Sequence, residues 1–327
     1  MLTEEIKNSE NRYDRQSRVA AIGQKGQQNL ADSHVLIVGC GALGTYTAEQ
    51  LARTGVGTLT VIDNDRVELT NLQRQSLFTE NDIGEYKSLA ALQHLTAINS
   101  TITIHAFTQR FEAFLFNDNF EKPDLILDCT DNFSVRHSIN DYCLEAKIPF
   151  IFAAAAGTSG QAMAMKPSVG PCLNCVFPDL LDLESAGCET LGVVTPLIPL
   201  ISSLQVSLTM QILSKEEFDD WTTLHFVESQ RLSIQHFQVA KNQNCPICSA
   251  AETVKLPLTK TCGDVYQGFA TSVSTDRLMT QGWQTRSNPL ALLASQGNQS
   301  ITAFKNGRLL FYGFDDLAAA EEVYQQL

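Results

Sequence analysis

The order of apolar and polar positions predicts strands and helices that alternate through the first half of the chain. Uninterrupted apolar runs, typical of strands buried on both faces of a parallel sheet, alternate with segments that have helical spacing. The predicted strands lie at 34–38, 59–63, 101–106, 125–128 and 149–154, and the predicted helices at 45–53, 87–99 and 136–147, after a polar helical entry at 11–30. This alternation predicts an α/β fold whose mostly parallel sheet carries helices on both faces.

The second half of the chain is less regular, especially over 157–190, and its character changes after residue 250. The predicted elements are a helix within 193–214 that follows Pro196, strands within 221–241, a hairpin of 301–304 and 308–312, and a last helix over 317–327 capped by Asp315 or Asp316. The hairpin is predicted because Asn306-Gly307 favours a tight turn between two apolar segments. We therefore expect a main domain over 1–250 and a small C-terminal α+β domain over 255–327.

Composition narrows the classes of function. The formal net charge of −13 and the isoelectric point near 4.9 argue against general nucleic-acid binding, which requires a basic face. Residues 1–10 are acidic and polar rather than basic and then apolar, and Pro and Ser interrupt the most apolar stretch, 192–213. We therefore expect a cytoplasmic protein that is not embedded in a membrane. In that compartment the nine cysteines favour metal binding or catalysis over disulfides.

A glycine pattern between the first predicted strand and helix indicates a nucleotide site. Gly39, Gly41 and Gly44 form Gly-x-Gly-x-x-Gly, and Asp63 ends the next strand nineteen residues past Gly44. In this setting glycines let the backbone approach phosphates at a helix N-terminus, and the carboxylate can bind ribose hydroxyls. A tight turn without a ligand is the alternative, and an NAD-dependent dehydrogenase fits this pattern as well.

Five further motifs, read in order with the glycines, decide between nucleotides. They are Arg12-Tyr13-x-Arg15-Gln16, Asp63-x-Asp65, Asn71-Leu72-x-Arg74-Gln75, Lys87 and Asp128-Cys129-Thr130-Asp131-Asn132. Over residues 11–250 the sequence resembles the ThiF/MoeB/HesA family, relatives of the adenylating domain of ubiquitin-activating enzymes. The resemblance implies a Rossmann-like fold and an adenylyltransferase. It would activate the C-terminal Gly-Gly carboxylate of a ubiquitin-like sulfur-carrier protein, of ThiS or MoaD type, for thiamine or molybdopterin cofactor biosynthesis.

The chemistry of acyl-adenylate formation assigns roles to these residues. A carboxylate attacks the α-phosphate of ATP and pyrophosphate leaves, so the protein must neutralise the triphosphate and orient the attack. Arg74 and Lys87 are the local cations that an acidic chain needs, and Asp131 is placed to hold Mg²⁺. The candidate nucleotide contacts are Gly39, Gly41, Ala42, Gly44, Asp63, Asp65, Asn71, Arg74, Lys87, Asp131 and Asn132. The resemblance also implies a homodimer in which Arg15 reaches the neighbouring protomer's site.

Two C-x-x-C pairs predict a structural zinc site. Cys172 and Cys175 form the first pair, and Cys245 and Cys248 form the second, 70 residues further on. Each spacing lets two thiolates chelate one ion, and two such pairs complete a tetrahedral Cys₄ site without an open position. The site would staple a mid-chain loop to the end of the main domain. Redox-active or merely buried cysteines are the alternatives.

Among the remaining cysteines, Cys188 is the candidate for a chemical role. It lies in a polar, Gly-containing segment and matches the loop cysteine of the family, so its thiol could accept the activated acyl group. Acidic neighbours, Glu184 and Glu189, would raise its pKa and slow that attack. A loop residue without chemistry is the alternative. Cys40, Cys129 and Cys143 are predicted to pack in turns or in the core, and Cys262 to be incidental.

Three other functions compete with adenylation of a carrier. A dehydrogenase leaves Arg74, Lys87 and Asp131 without a role. A relative acting on tRNA conflicts with the acidic charge, whereas a relative acting on a peptide stays open. The full set of ATP motifs argues against an inactive scaffold. The sequence does not separate a thiamine-type from a molybdopterin-type carrier. Because no active loop surrounds Cys262, the C-terminal segment does not resemble a rhodanese, and we expect a separate protein to donate sulfur.

Overall fold

The computed structural model describes residues 12–118, 121–178, 192–215, 217–249, 256–260, 265–270 and 273–327. Eight strands form the main sheet. They are β1 (His34–Val38), β2 (Thr58–Ile62), β3 (Thr103–Phe107), β4 (Leu125–Asp128), β5 (Phe150–Ala156), β6 (Ser159–Met165), β7 (Thr223–Glu228) and β8 (Ser233–Gln238). Their order is β3-β2-β1-β4-β5-β6-β7-β8. The first five strands pair in parallel and the last three add antiparallel pairings.

Helices cover both faces of this sheet. In chain order they are α1 (Asp14–Ser17), α2 (Gly23–Asp32), α3 (Ala42–Thr54), α4 (Lys87–Ile98), α5 (Phe111–Phe114), α6 (Phe133–Ala146), α7 (Leu173–Val176) and α8 (Leu197–Ser214). Alternate residues of β1 point to opposite faces: Val35 and Ile37 belong to one apolar cluster, Leu36 and Val38 to the other. The predicted mostly parallel sheet with helices on both faces is confirmed.

Helix α8 is long and apolar enough to cross a membrane by length and composition alone. In this fold it packs against α2, α3, β5 and β6, and half of its apolar window is buried inside the molecule. Its side chains belong to the apolar cluster on one face of the sheet. The helix therefore serves the core of the fold.

A second, antiparallel sheet follows the main one. Its strands are β9 (Leu256–Lys260), β10 (Tyr266–Phe269), β11 (Gln284–Ser287), β12 (Ala291–Gln296), β13 (Gln299–Phe304) and β14 (Arg308–Tyr312), in the order β11-β12-β13-β14-β10-β9, with α9 (Thr275–Thr280) and α10 (Leu317–Gln326). The predicted hairpin corresponds to β13 and β14, and the predicted last helix to α10, which Asp316 caps through the Ala319 N–H.

The C-terminal sheet packs on α6 rather than standing apart. Leu310 and Tyr312 share one apolar cluster with Tyr142 and Cys143 of that helix. Arg308 forms a buried ion pair with Asp141. The predicted boundary between domains near residue 250 stays a prediction, although these contacts join the two parts through a common core.

Candidate active site

A cavity of about 840 Å³ opens at the carboxyl ends of β1, β2 and β4. From β1 the sheet continues to β2 on one side and to β4 on the other, and ligands of α/β proteins bind at such a switch point. Every nucleotide contact predicted from the sequence except Gly44 lines this cavity. The lining residues from that prediction are Gly39, Gly41, Ala42, Asp63, Asp65, Asn71, Arg74, Lys87, Asp131 and Asn132.

The three positions of the first turn favour glycine for different physical reasons. Gly39 has φ +90°, and a Cβ there would lie 2.9 Å from the Cys129 carbonyl oxygen. A Cβ at Gly44 would lie 2.0 Å from the Gly39 carbonyl oxygen. Glycine at 44 therefore allows the helix to pack closely against the turn, and Gly44 does not line the cavity. At Gly41 a Cβ would meet only Gln75 Nε2, at 3.8 Å. The fold does not require glycine at 41, whereas a phosphate approaching the N-terminus of α3 does.

Asp63, at the carboxyl end of β2, is hydrogen-bonded to the glycine turn. Its carboxylate accepts hydrogen bonds from the Cys40 N–H at 2.7 Å and the Asp65 N–H at 2.8 Å. Burial raises the pKa of Asp63, against the Lys87 charge and the two backbone bonds, which lower it. Those bonds fix the carboxylate at the cavity wall, where a free lone pair can accept from a ribose hydroxyl.

Lys87 carries the positive charge at the centre of the cavity. Its ammonium donates to Asp65 Oδ2 at 2.9 Å, and its side chain is only 10% exposed. Burial lowers the pKa of Lys87, but the carboxylates of Asp63, Asp65 and Asp131 outweigh burial and raise it. The surrounding carboxylates therefore keep Lys87 protonated, and its ammonium can bind an anion.

Arg74 and Asn71 lie on the turn that follows β2. Asn71 Oδ1 accepts from the Glu68 N–H at 3.0 Å and closes a capping box with Glu68. One guanidinium nitrogen of Arg74 donates to the Thr70 carbonyl at 3.1 Å. These local bonds hold an amide and a guanidinium at the cavity wall, so this turn supplies polar donors for phosphate oxygens.

The turn after β4 presents Asp131 to the cavity. Asn132 Oδ1 accepts from the Ser134 and Val135 N–H groups and caps α6. Behind it, Asp128 is buried; burial raises its pKa, while Arg136, 3.5 Å away, lowers it. Asp131 itself is exposed. A carboxylate fixed at the end of a strand but open to water suits Mg²⁺, which keeps several waters.

Several cavity residues were not singled out from the sequence. They are Gln73, Gln75, Arg110, Glu112 and Tyr312. Gln75 was visible as part of a motif, and its Oε1 is buried without a hydrogen bond among the described residues. Glu112 and Tyr312 had no sequence signal, because only the packing of α5 and β14 brings them to the cavity.

One predicted catalytic residue stands outside this cavity. Arg15 is exposed on α1 and is not among the lining residues, so within one chain it does not reach the nucleotide position. Cys188 lies outside the described residues, as does Cys262. Their predicted roles stay predictions. Cys40, Cys129 and Cys143 are buried, and burial raises the pKa of Cys40 and Cys143 well above the ordinary value.

The four cysteines of the C-x-x-C pairs meet in one cluster. The Sγ–Sγ distances are 3.8 Å for Cys172–Cys175, 3.6 Å for Cys172–Cys245 and 3.5 Å for Cys175–Cys248, and all four sulfurs lie within 4.8 Å of one another. A tetrahedral zinc ion with Zn–S bonds of about 2.3 Å places its sulfurs about 3.8 Å apart. The donor set and its spacing therefore fit zinc.

Comparison with known proteins identifies relatives of this chain. The ThiF family model matches residues 13–247. The "Sulfur carrier protein ThiS adenylyltransferase" of Bacillus subtilis is 30% identical over 338 residues, covering 96% of this chain and 98% of the relative. The protein of the same name from Escherichia coli is 38% identical, covering 73% and 95%. The "Molybdopterin-synthase adenylyltransferase" of Escherichia coli is 34% identical, covering 72% and 95%.

Solved structures share the fold at lower identity. Escherichia coli MccB crystallised with ATP superposes with a TM-score of 0.62 at 23% identity, over 74% of this chain and 75% of that one. MccB in complex with N-formylated MccA gives 0.65 at 24% identity, over 74% and 76%. At this identity the likeness concerns the fold alone.

Proposed function

The chain belongs to the ThiF family, and from this membership and the cavity we propose that it uses ATP to adenylate the C-terminal carboxylate of a ubiquitin-like sulfur-carrier protein. One observation carries the proposal: a single cavity gathers the glycine turn, the ribose-binding Asp63, the cations Arg74 and Lys87, and Asp131. Hydride transfer would leave those two cations without a role. Adenylation requires them, because negative charge develops on the leaving pyrophosphate.

In the proposed reaction each group of cavity residues has a distinct role. The glycine turn and the N-terminus of α3 receive phosphates, and Asp63 holds the ribose. Arg74 and Lys87 neutralise the triphosphate while the carrier carboxylate attacks the α-phosphorus and the bond to pyrophosphate breaks. Mg²⁺ fits Asp131 and would supply charge neutralisation between the phosphates. Asp131 is exposed to solvent, which suits an ion that keeps several of its waters.

We favour a ThiS-type carrier over a MoaD-type carrier. The relatives named for ThiS reach 96% coverage of this chain in Bacillus subtilis and 38% identity in Escherichia coli. The relative named for molybdopterin synthase in Escherichia coli reaches 72% coverage and 34% identity. The experiment is ATP–pyrophosphate exchange with each carrier type, at equal concentrations and with Mg²⁺. A higher kcat/KM with the ThiS-type carrier is expected, and a preference for the MoaD-type carrier would reverse the assignment.

A homodimer would add a further cation, Arg15, to the site. Arg15 is exposed on helix α1 and does not line its own cavity. An apolar groove of about 620 Å³ is lined by Val19, Ile22, Val206 and Met210 among others. A second copy packed on this groove would bury exposed apolar side chains. The partner subunit would then contribute a guanidinium to the phosphates.

The remaining proposals concern zinc, sulfur and location. The Cys₄ cluster holds a structural zinc ion, the protein acts in the cytoplasm, and a separate protein donates sulfur to the adenylated carrier. Fractionation of cells that express the tagged chain tests the location. The variant Cys188→Ser tests the route of sulfur transfer. If the Cys188 thiol accepts the acyl group, this variant should keep pyrophosphate exchange but should not form the carrier-linked species that added thiols cleave.

A further inference from the structure

The C-terminal sheet builds part of the nucleotide cavity. Val265, just before β10, and Tyr312, at the end of β14, line the same cavity as Gly41 and Asp63. Both are buried, with 4% and 5% of their surface exposed, and both belong to the apolar cluster that joins this sheet to α6. The sheet therefore bounds the cavity as well as packing on the main fold.

The order of strands shows which part of ATP this end of the cavity receives. The Asp63 N–H donates to the Phe107 carbonyl at the end of β3, at 3.1 Å, so the chain that follows Phe107 leaves the sheet beside Asp63. Residues 109–112 of that chain line the cavity. The glycine turn and Asp131 lie on the opposite side of Asp63, toward β4. A ribose held by Asp63 with its phosphates on the glycine turn thus directs its base toward 109–112.

Within this segment Glu112 is a buried acceptor whose neighbouring donor is the Tyr312 hydroxyl. It is 2% exposed, and neither carboxylate oxygen forms a hydrogen bond of normal geometry with a described residue. It lies close to Tyr312: burial and then the Glu112 carboxylate raise the pKa of that phenol. The guanidinium of Arg110 lies 4.9 Å from the centre of the Tyr312 ring. A carboxylate has more lone pairs than one phenol hydroxyl can fill, so Glu112 can also accept a hydrogen bond from a ligand.

We infer that Glu112, positioned by Tyr312 of the C-terminal sheet, accepts a hydrogen bond from the 6-amino group of adenine and so selects ATP over triphosphates of 6-oxo purines. The inference rests on the proposed function, since it takes ATP as the substrate. A carboxylate accepts hydrogen bonds and does not donate them, so it attracts an amino group and repels a carbonyl oxygen. A buried site that pairs with one polar group discriminates strongly against a ligand that lacks it.

The experiment measures binding of ATP and of inosine triphosphate to the full chain, with Mg²⁺ and without carrier, by calorimetry. Wild-type protein should prefer ATP. In Glu112→Gln the amide can donate to the 6-oxo group, so the ATP-over-inosine preference should fall about tenfold or more. Glu145→Gln removes an exposed carboxylate that pairs with Lys305 outside the cavity, and this control should keep the wild-type preference.

Tyr312→Phe is the second variant, because it retains the buried ring and removes only the hydroxyl beside Glu112. Its preference for ATP should fall about threefold, a ratio that a loss of stability alone would not change. If both variants bind the two nucleotides in the wild-type ratio, Glu112 does not read the base, while ATP binding and the proposed function stand. If wild-type protein binds no ATP, the proposed function fails first.

Discussion

At the scale of single residues, the site shows how a chain of net charge −13 binds an anion. Lys87 is held between Asp65, 2.9 Å away, and the charges of Asp63 and Asp131. These three carboxylates keep the ammonium protonated and fix its place, but their negative charge outweighs its single positive charge. The second cation, Arg74, therefore matters as much as Lys87 for a triphosphate.

Gly41 offers the sharpest residue-level prediction. Gly41→Ala should leave the free energy of unfolding within about 1 kcal/mol of wild type, because φ is −86° there and the added Cβ meets only the end of a flexible side chain. It should weaken ATP binding about tenfold or more, because that Cβ occupies the path of a phosphate. Calorimetric titration with ATP and thermal unfolding measure the two effects.

Gly44→Ala is the matched control for this prediction. Its Cβ would overlap the Gly39 carbonyl oxygen at 2.0 Å, so it should lower the unfolding temperature as well as ATP binding. If Gly41→Ala binds ATP like wild type while it folds normally, phosphates do not approach this part of the turn.

Sequence alone could place these residues because their chemistry follows their position in a strand–turn–helix unit. Gly39, Asp63 and Asp131 each follow a parallel strand, and the carboxyl ends of such strands meet at one edge. Local hydrogen bonding was harder to foresee. The motifs predict Asn132 as a nucleotide contact, whereas its side-chain oxygen caps α6. No pattern indicates that the side-chain oxygen of Gln75 is buried without a hydrogen bond among the described residues.

At the scale of elements, α6 links the catalytic turn to the zinc cluster and to the C-terminal sheet. Its N-terminus follows Asp131. Further along, Asn140 accepts a hydrogen bond from the Leu173 N–H beside the first C-x-x-C pair, at 2.8 Å, and Asp141 pairs with the buried Arg308. The segment that carries the four-cysteine cluster and the second sheet therefore both contact the helix that follows Asp131.

Zinc content tests this arrangement. The purified protein should contain one zinc ion per chain, and Cys248→Ala should lose it and unfold at a lower temperature, because three thiolates no longer complete the tetrahedral shell. Metal analysis and thermal unfolding measure both. Cys143→Ala, which removes a buried thiol on α6 away from the cluster, should keep its zinc. Freshly purified protein without zinc would overturn the Cys₄ site.

The elements that the sequence missed have weak intrinsic patterns. Strand β6 reads Ser-Gly-Gln-Ala-Met-Ala-Met and contains no β-branched or aromatic residue. It forms because β5 and β7 pair with it on both sides. Strands β9 to β12 are likewise defined by their partners. Tertiary pairing overrides local propensity in such strands.

At the scale of the whole molecule, the cavity of one chain contains Arg74 and Lys87 but not Arg15. If the partner subunit supplies Arg15, mixing Arg15→Ala protein with Asp131→Ala protein should restore activity. Each hybrid dimer then has one site without either defect, and equal mixing should give about a quarter of wild-type exchange. Pyrophosphate exchange after verified subunit exchange measures this. Activity no higher than that of either variant alone would exclude the arrangement in trans.

The relation between the two sheets is what the sequence could least predict. Asn306-Gly307 identified a hairpin, yet nothing in the pattern indicated that Tyr312 would reach a cavity formed about 200 residues earlier in the chain. Contacts of this kind depend on packing against α6, which local periodicity does not encode.

The central claim is that this cavity adenylates a carrier carboxylate, and ATP–pyrophosphate exchange tests it most directly. With ATP, Mg²⁺ and a carrier that ends in Gly-Gly, wild-type protein should exchange labelled pyrophosphate into ATP. Asp131→Ala should reduce the rate about a hundredfold or more. Asp118→Ala, at an exposed carboxylate outside the cavity, should retain it. Absence of exchange with carriers of both types, or undiminished exchange by Asp131→Ala, would contradict the account.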